Sequence, residues 1–197
     1  MKKLEFPEVR NICEYEKIRE EMRRRIIDLK RHRRVQVGSH ISLVFENRDT
    51  VLFQIQEMMR AERIVDDAKV QDEIDVYNDL IPDQGELSAT LLIEIEDRAR
   101  VKDVLERLMG IDVGEHVWIQ IGKEYAIPGK FEPGRSDEER GKISAVHFVR
   151  FLFTPEQIWA FRDREAFLVV DHPGERARVR LADEVKASLL EDLESAE

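Results

Sequence analysis

The sequence predicts an α+β protein with a mainly antiparallel sheet. Apolar residues recur every three or four positions in some segments, as in amphipathic helices, and alternate with polar residues in others, as in strands with one buried face. Apolar residues make up 42% of the 197 residues, which is enough for a hydrophobic core without disulfides. We therefore expect a single domain over residues 1–197, with a helical N-terminal part of about 1–85 and an α+β part of about 86–197.

The N-terminal part contains three predicted helices. Apolar residues at helical spacing predict a first helix over about 14–34 and a third between Asp66 and Pro82. A short strand is predicted at 41–46. The segment 50–56 suits a strand, because Val51, Phe53 and Ile55 alternate, or a helix, because it is rich in helix formers. We favour a helix over 50–63.

The C-terminal part alternates strands and helices. Strands are predicted at 87–95, 117–121, 143–153 and 167–170, with helices after the capping residues Asp97 and Thr154. Over about 87–171 this βαββαβ order is typical of a ferredoxin-like split sheet. The strand at 143–153 is apolar on both faces, which predicts a central position. Residues 123–140 are predicted to form a loop.

The composition excludes several classes of site. The single Cys13 excludes an internal disulfide, an iron–sulfur cluster held by this chain alone and a zinc site with two cysteines. We expect no metal and no cofactor. No apolar run reaches the length of a membrane span, and the first residues lack the apolar core of a signal peptide. The sequence therefore predicts no membrane association and a cytoplasmic location.

The charge is unevenly distributed. The formal net charge is −10, yet residues 23–34 contain seven basic residues and one acidic residue. A net-acidic chain disfavours nucleic acid as a partner, and no aromatic residues interleave with these arginines. We expect this basic stripe, residues 23–34, to be paired internally with acidic side chains.

Catalytic motifs are incomplete. Gly134 and Gly141 are separated by six residues where a phosphate loop needs four, and Ile143 replaces its Ser or Thr. Asp171-His172 resembles half of a catalytic triad, but no nucleophile elbow accompanies it. None of the five histidines is spaced as a local metal pair, although His116 and His147 are placed to meet across a sheet.

The densest group of polar side chains is predicted where the second and third helices meet. The candidate polar cluster consists of Glu57, Arg60, Glu62, Glu73 and Tyr77. If residues 50–63 are helical, Glu62 falls on the stripe of apolar side chains. A buried carboxylate needs a partner. We interpret the cluster as structural, with an arginine of the first helix as the partner of Glu62, and a ligand site as the alternative.

Several sequence blocks resemble a prokaryotic family of uncharacterised proteins. The blocks are VFENRDT at 44–50, FQIQEM at 53–58, YNDLIP at 77–82, GELSATL at 85–91, DHP at 171–173 and SLLEDL at 188–193. They are similar to Domain of Unknown Function 3501 over nearly the whole chain. That resemblance implies no activity. It does imply an association with redox or oxidative-stress systems, with an iron–sulfur or di-iron protein as the partner.

Two functions therefore follow from the sequence. The first is a non-catalytic accessory protein that interacts with a redox complex. The second is an enzyme or a small-ligand-binding protein whose polar site is built from residues 54–62 and 73–90. A pocket lined by the candidate polar cluster would favour the second, and the same residues on a flat surface would favour the first. The sequence leaves open the oligomeric state and whether the protein is an enzyme.

Overall fold

The computed structural model describes residues 1–137 and 142–195, in which helices are combined with antiparallel sheet. The helices are α1 (Ile12–Arg31), α2 (Arg48–Glu62), α3 (Asp67–Asn78), α4 (Val101–Arg107), α5 (Pro155–Asp163) and α6 (Asp183–Glu194). Side chains of Asn11, Asn47 and Thr154 cap α1, α2 and α5 by accepting a backbone N–H. The α+β class is confirmed, and so is the helical interpretation of residues 50–56.

Ten strands complete the secondary structure. They are β1 (Arg34–Val37), β2 (Ile41–Glu46), β3 (Glu86–Ile93), β4 (Val117–Ile121), β5 (Tyr125–Phe131), β6 (Ser136–Asp137), β7 (Lys142–Ile143), β8 (Val146–Leu152), β9 (Ala166–His172) and β10 (Glu175–Arg180). Strands β6 and β7 pair only with each other. The other eight form one sheet in the order β1-β2-β3-β8-β5-β4-β9-β10. Strand β8 is therefore central, as predicted.

Every strand pair in this sheet is antiparallel, and the sheet curls until its two edges nearly meet. The edge strand β1 lies against β9 and β10. Glu175 in β10 links the two edges, because its carboxylate accepts the backbone N–H of Ser39 and lies 2.8 Å from His40 Nδ1.

The expected ferredoxin-like core is not observed. In that fold the fourth strand lies beside the first, whereas the corresponding β9 pairs with β4, the second strand, and not with β3. Strand β5 also lies between β8 and β4. It occupies much of the segment 123–140, which was predicted as a loop and of which residues 138–140 lie outside the described part. The predicted helical part, 1–85, contains α1 to α3 and the predicted strand β2, and it also contributes β1 to the sheet.

The larger hydrophobic core fills the inside of the curled sheet. Alternate residues of each strand point inward, such as Phe45, Leu91 and Phe151, and α4 to α6 add further apolar side chains. Arg33, just before β1, is also buried. Its guanidinium donates to the carbonyl oxygens of Phe45 and Glu46, to Ser188 Oγ and to the carboxylate of Asp192 in α6.

A second hydrophobic cluster packs on the outer face of the sheet. It joins Val51, Ile55 and Met59 of α2 to Ile74 of α3, and Phe148 of β8 packs against it. Helices α2 and α3 therefore pack over part of the outer face of the sheet at β8. Within residues 1–137 and 142–195, no helix combines the length and apolar character that crossing a membrane requires.

Candidate functional site

The candidate polar cluster is split into two groups, one between α2 and α1 and the other near α3. Glu57 faces α1, where it accepts a 2.6 Å hydrogen bond from Tyr15 Oη and two from Arg19, of 2.7 and 2.8 Å. The hydrogen bonds from Arg19 hold the pKa of Glu57 below its usual value. Burial raises the pKa of Tyr15, which is fully enclosed. Arg60 pairs with Glu16 of α1. This half of the cluster joins two helices.

Glu62 lies at the end of α2, whereas Glu73 and Tyr77 lie in α3. Glu62 is the last residue of α2 and is exposed, because Arg63 turns into the left-handed region with φ 57°. It is therefore not part of the buried apolar stripe, contrary to expectation, and it has no ion pair among the described residues. Partial burial and the negative charge of Glu62 raise the pKa of Glu73. The structure does not bring the five predicted residues into one site.

Tyr77 instead lines a cleft between the end of α3 and the outer face of β3, β5 and β8. The volume of the cleft is about 840 Å³, which is within the range of small-molecule sites. Its lining residues are Val76, Tyr77, Asp79, Leu80, Ser88, Lys130, Phe131, Glu132, Arg135, Phe148 and Arg150. One wall is thus formed by α3 and the opposite wall by the sheet.

Strand register places three polar side chains of the cleft in one row. Ser88 of β3 is the partner of Arg150 of β8, and Arg150 is the partner of Lys130 of β5. Directly opposite residues have Cβ atoms about 4.5–5.5 Å apart, and like charges in such a pair repel each other. The row therefore places two cations side by side next to a hydroxyl group.

The cations differ in how firmly they are held. Arg150 Nη1 donates to Glu86 Oε2 at 2.9 Å, and Nη2 donates to the carbonyl oxygen of Asp79. These bonds fix the guanidinium between the sheet and the end of α3. Lys130 is exposed and forms no ion pair within the described residues. Its charge is therefore available to a bound molecule.

Ser88 is the most buried polar group of the cleft. It is 2% exposed, and its hydroxyl has no hydrogen-bond partner in the part of the chain that the structure describes. Among the described residues, the only enclosed side-chain polar atom without a hydrogen bond is His147 Nδ1, so the Ser88 oxygen opens onto the cleft that it lines. A molecule in the cleft would be in a position to form a hydrogen bond with it.

Phe148 supplies the aromatic part of the cleft. It lies two residues before Arg150 on β8 and therefore on the same face of the sheet. The guanidinium carbon of Arg135 is 4.2 Å from the centre of the Phe148 ring, within the range of a cation–π contact. Arg135 also donates to Glu132 Oε2 from Nε and Nη2, at 3.1 and 3.0 Å. The cleft thus combines an aromatic surface with positive charge.

Most of these residues were missed by sequence reasoning. Of the candidate polar cluster, only Tyr77 lines the cleft, although Ser88 lies within the predicted segment 73–90. Lys130 was assigned to a loop, so its register with Arg150 was not predicted. The alternation of Phe148 and Arg150 between the inward-facing His147, Val149 and Phe151 was an available signal, because it marks polar and aromatic side chains on the outer face.

The histidines do not form a metal site in the described residues. Within residues 1–137 and 142–195, no three His, Cys, Asp or Glu side chains are grouped to hold an ion. His116 meets His172 rather than His147, with ring centres 4.7 Å apart. His172 lies between the carbonyl oxygen of Met109 and the N–H of Gly174, each 3.0 Å from a ring nitrogen. It therefore closes a turn, and the carboxylate of Asp171 pairs with Arg176.

His147 is fully buried. Its Nε2 lies 2.8 Å from the carbonyl oxygen of Ser144, and Nδ1 lies 3.5 Å from Asp112 Oδ2 without a hydrogen bond. Burial lowers the pKa of His147, which favours the neutral ring. Its ring packs edge-on against Phe131. The predicted contact with His116 is absent because β8 and β4 are separated by β5.

Comparisons with known proteins give a family and a solved relative. A crystal structure of a novel protein of unknown function from Burkholderia pseudomallei is 31% identical and covers 98% of this chain and 100% of its own, with a TM-score of 0.89. No curated protein matches. A sequence profile matches residues 3–193, and the chain belongs to the family described as Protein of unknown function (DUF3501).

Proposed function

We propose that this protein binds a small organic molecule in the cleft between α3 and the outer face of the sheet. The proposal is carried by one observation: the cleft, of about 840 Å³, is lined by a hydroxyl without a hydrogen bond and a cation without a partner among the described residues. Ligand sites typically combine an apolar lining with a few polar groups that fix orientation. The apolar lining is supplied by Val76, Leu80 and Phe148. The polar groups are supplied by the row Ser88–Arg150–Lys130.

The cleft is built on rigid elements, which supports binding rather than a passive surface depression. Its floor is the pairing of β3, β8 and β5, and β8 is central in the sheet. Arg150 ties this floor to α3 through the carbonyl oxygen of Asp79. Groups held by paired strands keep their positions better than groups on loops, and binding then costs less ordering entropy.

A screen of small organic fragments by saturation-transfer NMR would test the proposal. Val76 lies at the rim and is 66% exposed, so Val76→Trp should fill the entrance without disturbing the core. We expect fragments that bind the wild-type protein to lose their signal with this variant. Val113→Trp is the matched control, since Val113 is 59% exposed and does not line the cleft. If Val76→Trp left every fragment signal unchanged, the proposal would be wrong.

The accessory role in a redox system stays a prediction. It follows from the family resemblance alone. It is compatible with ligand binding, because an accessory protein can bind a small molecule. Purification of a complex with an iron–sulfur or di-iron protein from the native cells would support it.

A further inference from the structure

We propose that the ligand of the cleft is an aromatic acid, whose oxyanion lies on the row Ser88–Arg150–Lys130 and whose ring packs on Phe148. This inference rests on the proposed function and names the class of ligand. It follows from three features of the cleft: the order of its charges, the donors that stay free, and the position of the aromatic surface.

The first feature is an excess of positive charge in an acidic protein. Three cations and two acids line the cleft, whereas the whole chain carries a formal charge of −10. Glu132 is engaged by Arg135, and Asp79 contributes its backbone carbonyl to Arg150. Lys130 and Arg150 are left directly opposite each other, and an oxyanion between them would relieve their repulsion.

The second feature is the set of free donors. Arg150 uses Nη1 and Nη2 within the protein, and its Nε–H has no acceptor among the described residues. Lys130 contributes an ammonium group, and the Ser88 hydroxyl can donate as well. Three donors of this kind, two of them charged, match the lone pairs of a carboxylate or a phosphate. A neutral ligand would leave Lys130 without a counter-charge.

The third feature is the distance along β8 between the charge and the ring. Phe148 and Arg150 are two residues apart on one face, so their side chains are separated by about 7 Å, since a strand rises 3.2–3.4 Å per residue. A ring that carries an acid group directly spans this distance. Tyr77 of α3 and Leu80, just after this helix, form the facing wall, and a flat ring packs well between such surfaces.

A matched pair of ligands isolates the charge. We would measure the binding of 2-naphthoate and of its neutral isostere 2-naphthamide by isothermal titration calorimetry. We expect naphthoate to bind at least 10-fold more tightly, and this preference to weaken as the salt concentration rises, because salt screens exposed charges. 2-Naphthyl phosphate distinguishes the two sources of an oxyanion. Its tighter binding would identify a phosphate ester as the ligand, and tighter binding of naphthoate would identify a carboxylate.

Variants test whether the row Ser88–Arg150–Lys130 causes the preference for naphthoate. Lys130→Met should lower the affinity for naphthoate about 5- to 20-fold and remove most of the preference over naphthamide. It should leave the melting temperature of the free protein unchanged or higher, because the repulsion of Arg150 is removed. Ser88→Ala should weaken binding a few-fold. Lys123→Met is the control, since Lys123 is exposed in the turn before β5 and should change neither quantity.

The outcomes separate this inference from the proposed function. If naphthamide binds as tightly as naphthoate and Val76→Trp blocks both, the cleft is a ligand site but not one for acids. If naphthoate does not bind at all, or if its binding is insensitive to Lys130→Met, the inference is wrong, and the fragment screen decides the proposed function by itself.

Discussion

Glu57 and Glu62 occupy the same helix but have opposite surroundings. Glu57 is 29% exposed and accepts three hydrogen bonds, two of them from one guanidinium. Glu62 ends α2 in solvent. The sequence pattern indicated Glu62 as the buried carboxylate of this helix, because an ideal helix continued through residue 63 places Glu62 on the apolar stripe. The left-handed residue Arg63 ends the helix there, and no pattern of apolar residues encodes that termination.

Removing each charge should therefore have unequal effects. We expect Glu57→Gln to lower the free energy of unfolding by about 1–3 kcal/mol, the range for hydrogen bonds to charged groups. Glu62→Gln should stay within about 0.5 kcal/mol, as for most surface substitutions. Urea denaturation of both variants measures the difference. A larger loss for Glu62→Gln than for Glu57→Gln would contradict this assignment.

At the scale of elements, the sequence predicted the helices better than the strands. Apolar spacing and capping residues predicted α1, α2 and α5, because these signals are local. Strand β5 was missed since Pro128 and Gly129 are typical of turns. Gly129 is required in this strand because a Cβ atom there would lie 2.7 Å from Val149 Cγ2. That requirement depends on a strand 20 residues further along the chain, and no local pattern contains it.

Strand β1 was missed for a related reason. Its first residue and the one before it belong to the basic stripe, which was assigned to the first helix. The expectation of internal pairing holds for part of the stripe: Arg25, Arg31, Arg33 and Arg34 each pair with an acidic side chain. Arg33 is the buried member, and its partner Asp192 lies in the last helix. Such a pair cannot be recognised from charge patterning alone.

The contact between β1 and α6 depends on this ion pair. Arg33 and Asp192 are 1% and 4% exposed, so Arg33→Met leaves a carboxylate buried without its partner. We expect a loss of about 3–5 kcal/mol in the free energy of unfolding. The double variant Arg33→Met/Asp192→Leu should recover most of this loss, because it removes the buried charge as well.

An exposed pair provides the matched control. Arg31 and Asp28 are 71% and 68% exposed, and Arg31→Met should cost less than about 1 kcal/mol. Urea denaturation of all three variants gives the comparison. A double variant as unstable as Arg33→Met would show that the lost hydrogen bonds to Phe45, Glu46 and Ser188 matter more than the charge.

At the scale of the whole molecule, the order of the strands in the sheet could not be predicted from local sequence patterns. The elements of a split sheet were nearly all predicted, yet β5 inserts between β8 and β4, and β9 pairs with β4 instead of β3. The cleft is a product of that order, because Lys130 and Arg150 meet only when β5 pairs with β8. The single domain stays a prediction, for which a single calorimetric transition is the expected result.

The stability of the whole molecule should depend on pH through two histidines. Burial lowers the pKa of both His147 and His172 below the usual 6.5. As the pH falls, the unfolded chain therefore takes up these protons before the folded protein does. The stability they contribute is present above about pH 6.5 and is lost as the pH falls towards their folded pKa values.

Melting temperatures between pH 8 and pH 5 measure this effect. Each histidine contributes a slope of up to about 1.4 kcal/mol per pH unit in that interval. Replacing His147 by Gln should reduce the slope, although it also lowers the stability itself. His32→Gln is the control, since His32 is exposed at the end of α1. A melting temperature that is constant from pH 7 to pH 5 would contradict the prediction.

The ion pair between Arg33 and Asp192 also constrains the timing of folding during synthesis. The two residues are 159 positions apart, and ribosomes add roughly 5–20 residues per second. Asp192 is therefore synthesised about 8–30 s after Arg33. During that interval the β1–β2 hairpin is accessible to chaperones and proteases, and the Arg33 guanidinium is still in water. The edge of the sheet at β1 can pack against α6 only after residue 192 has been made.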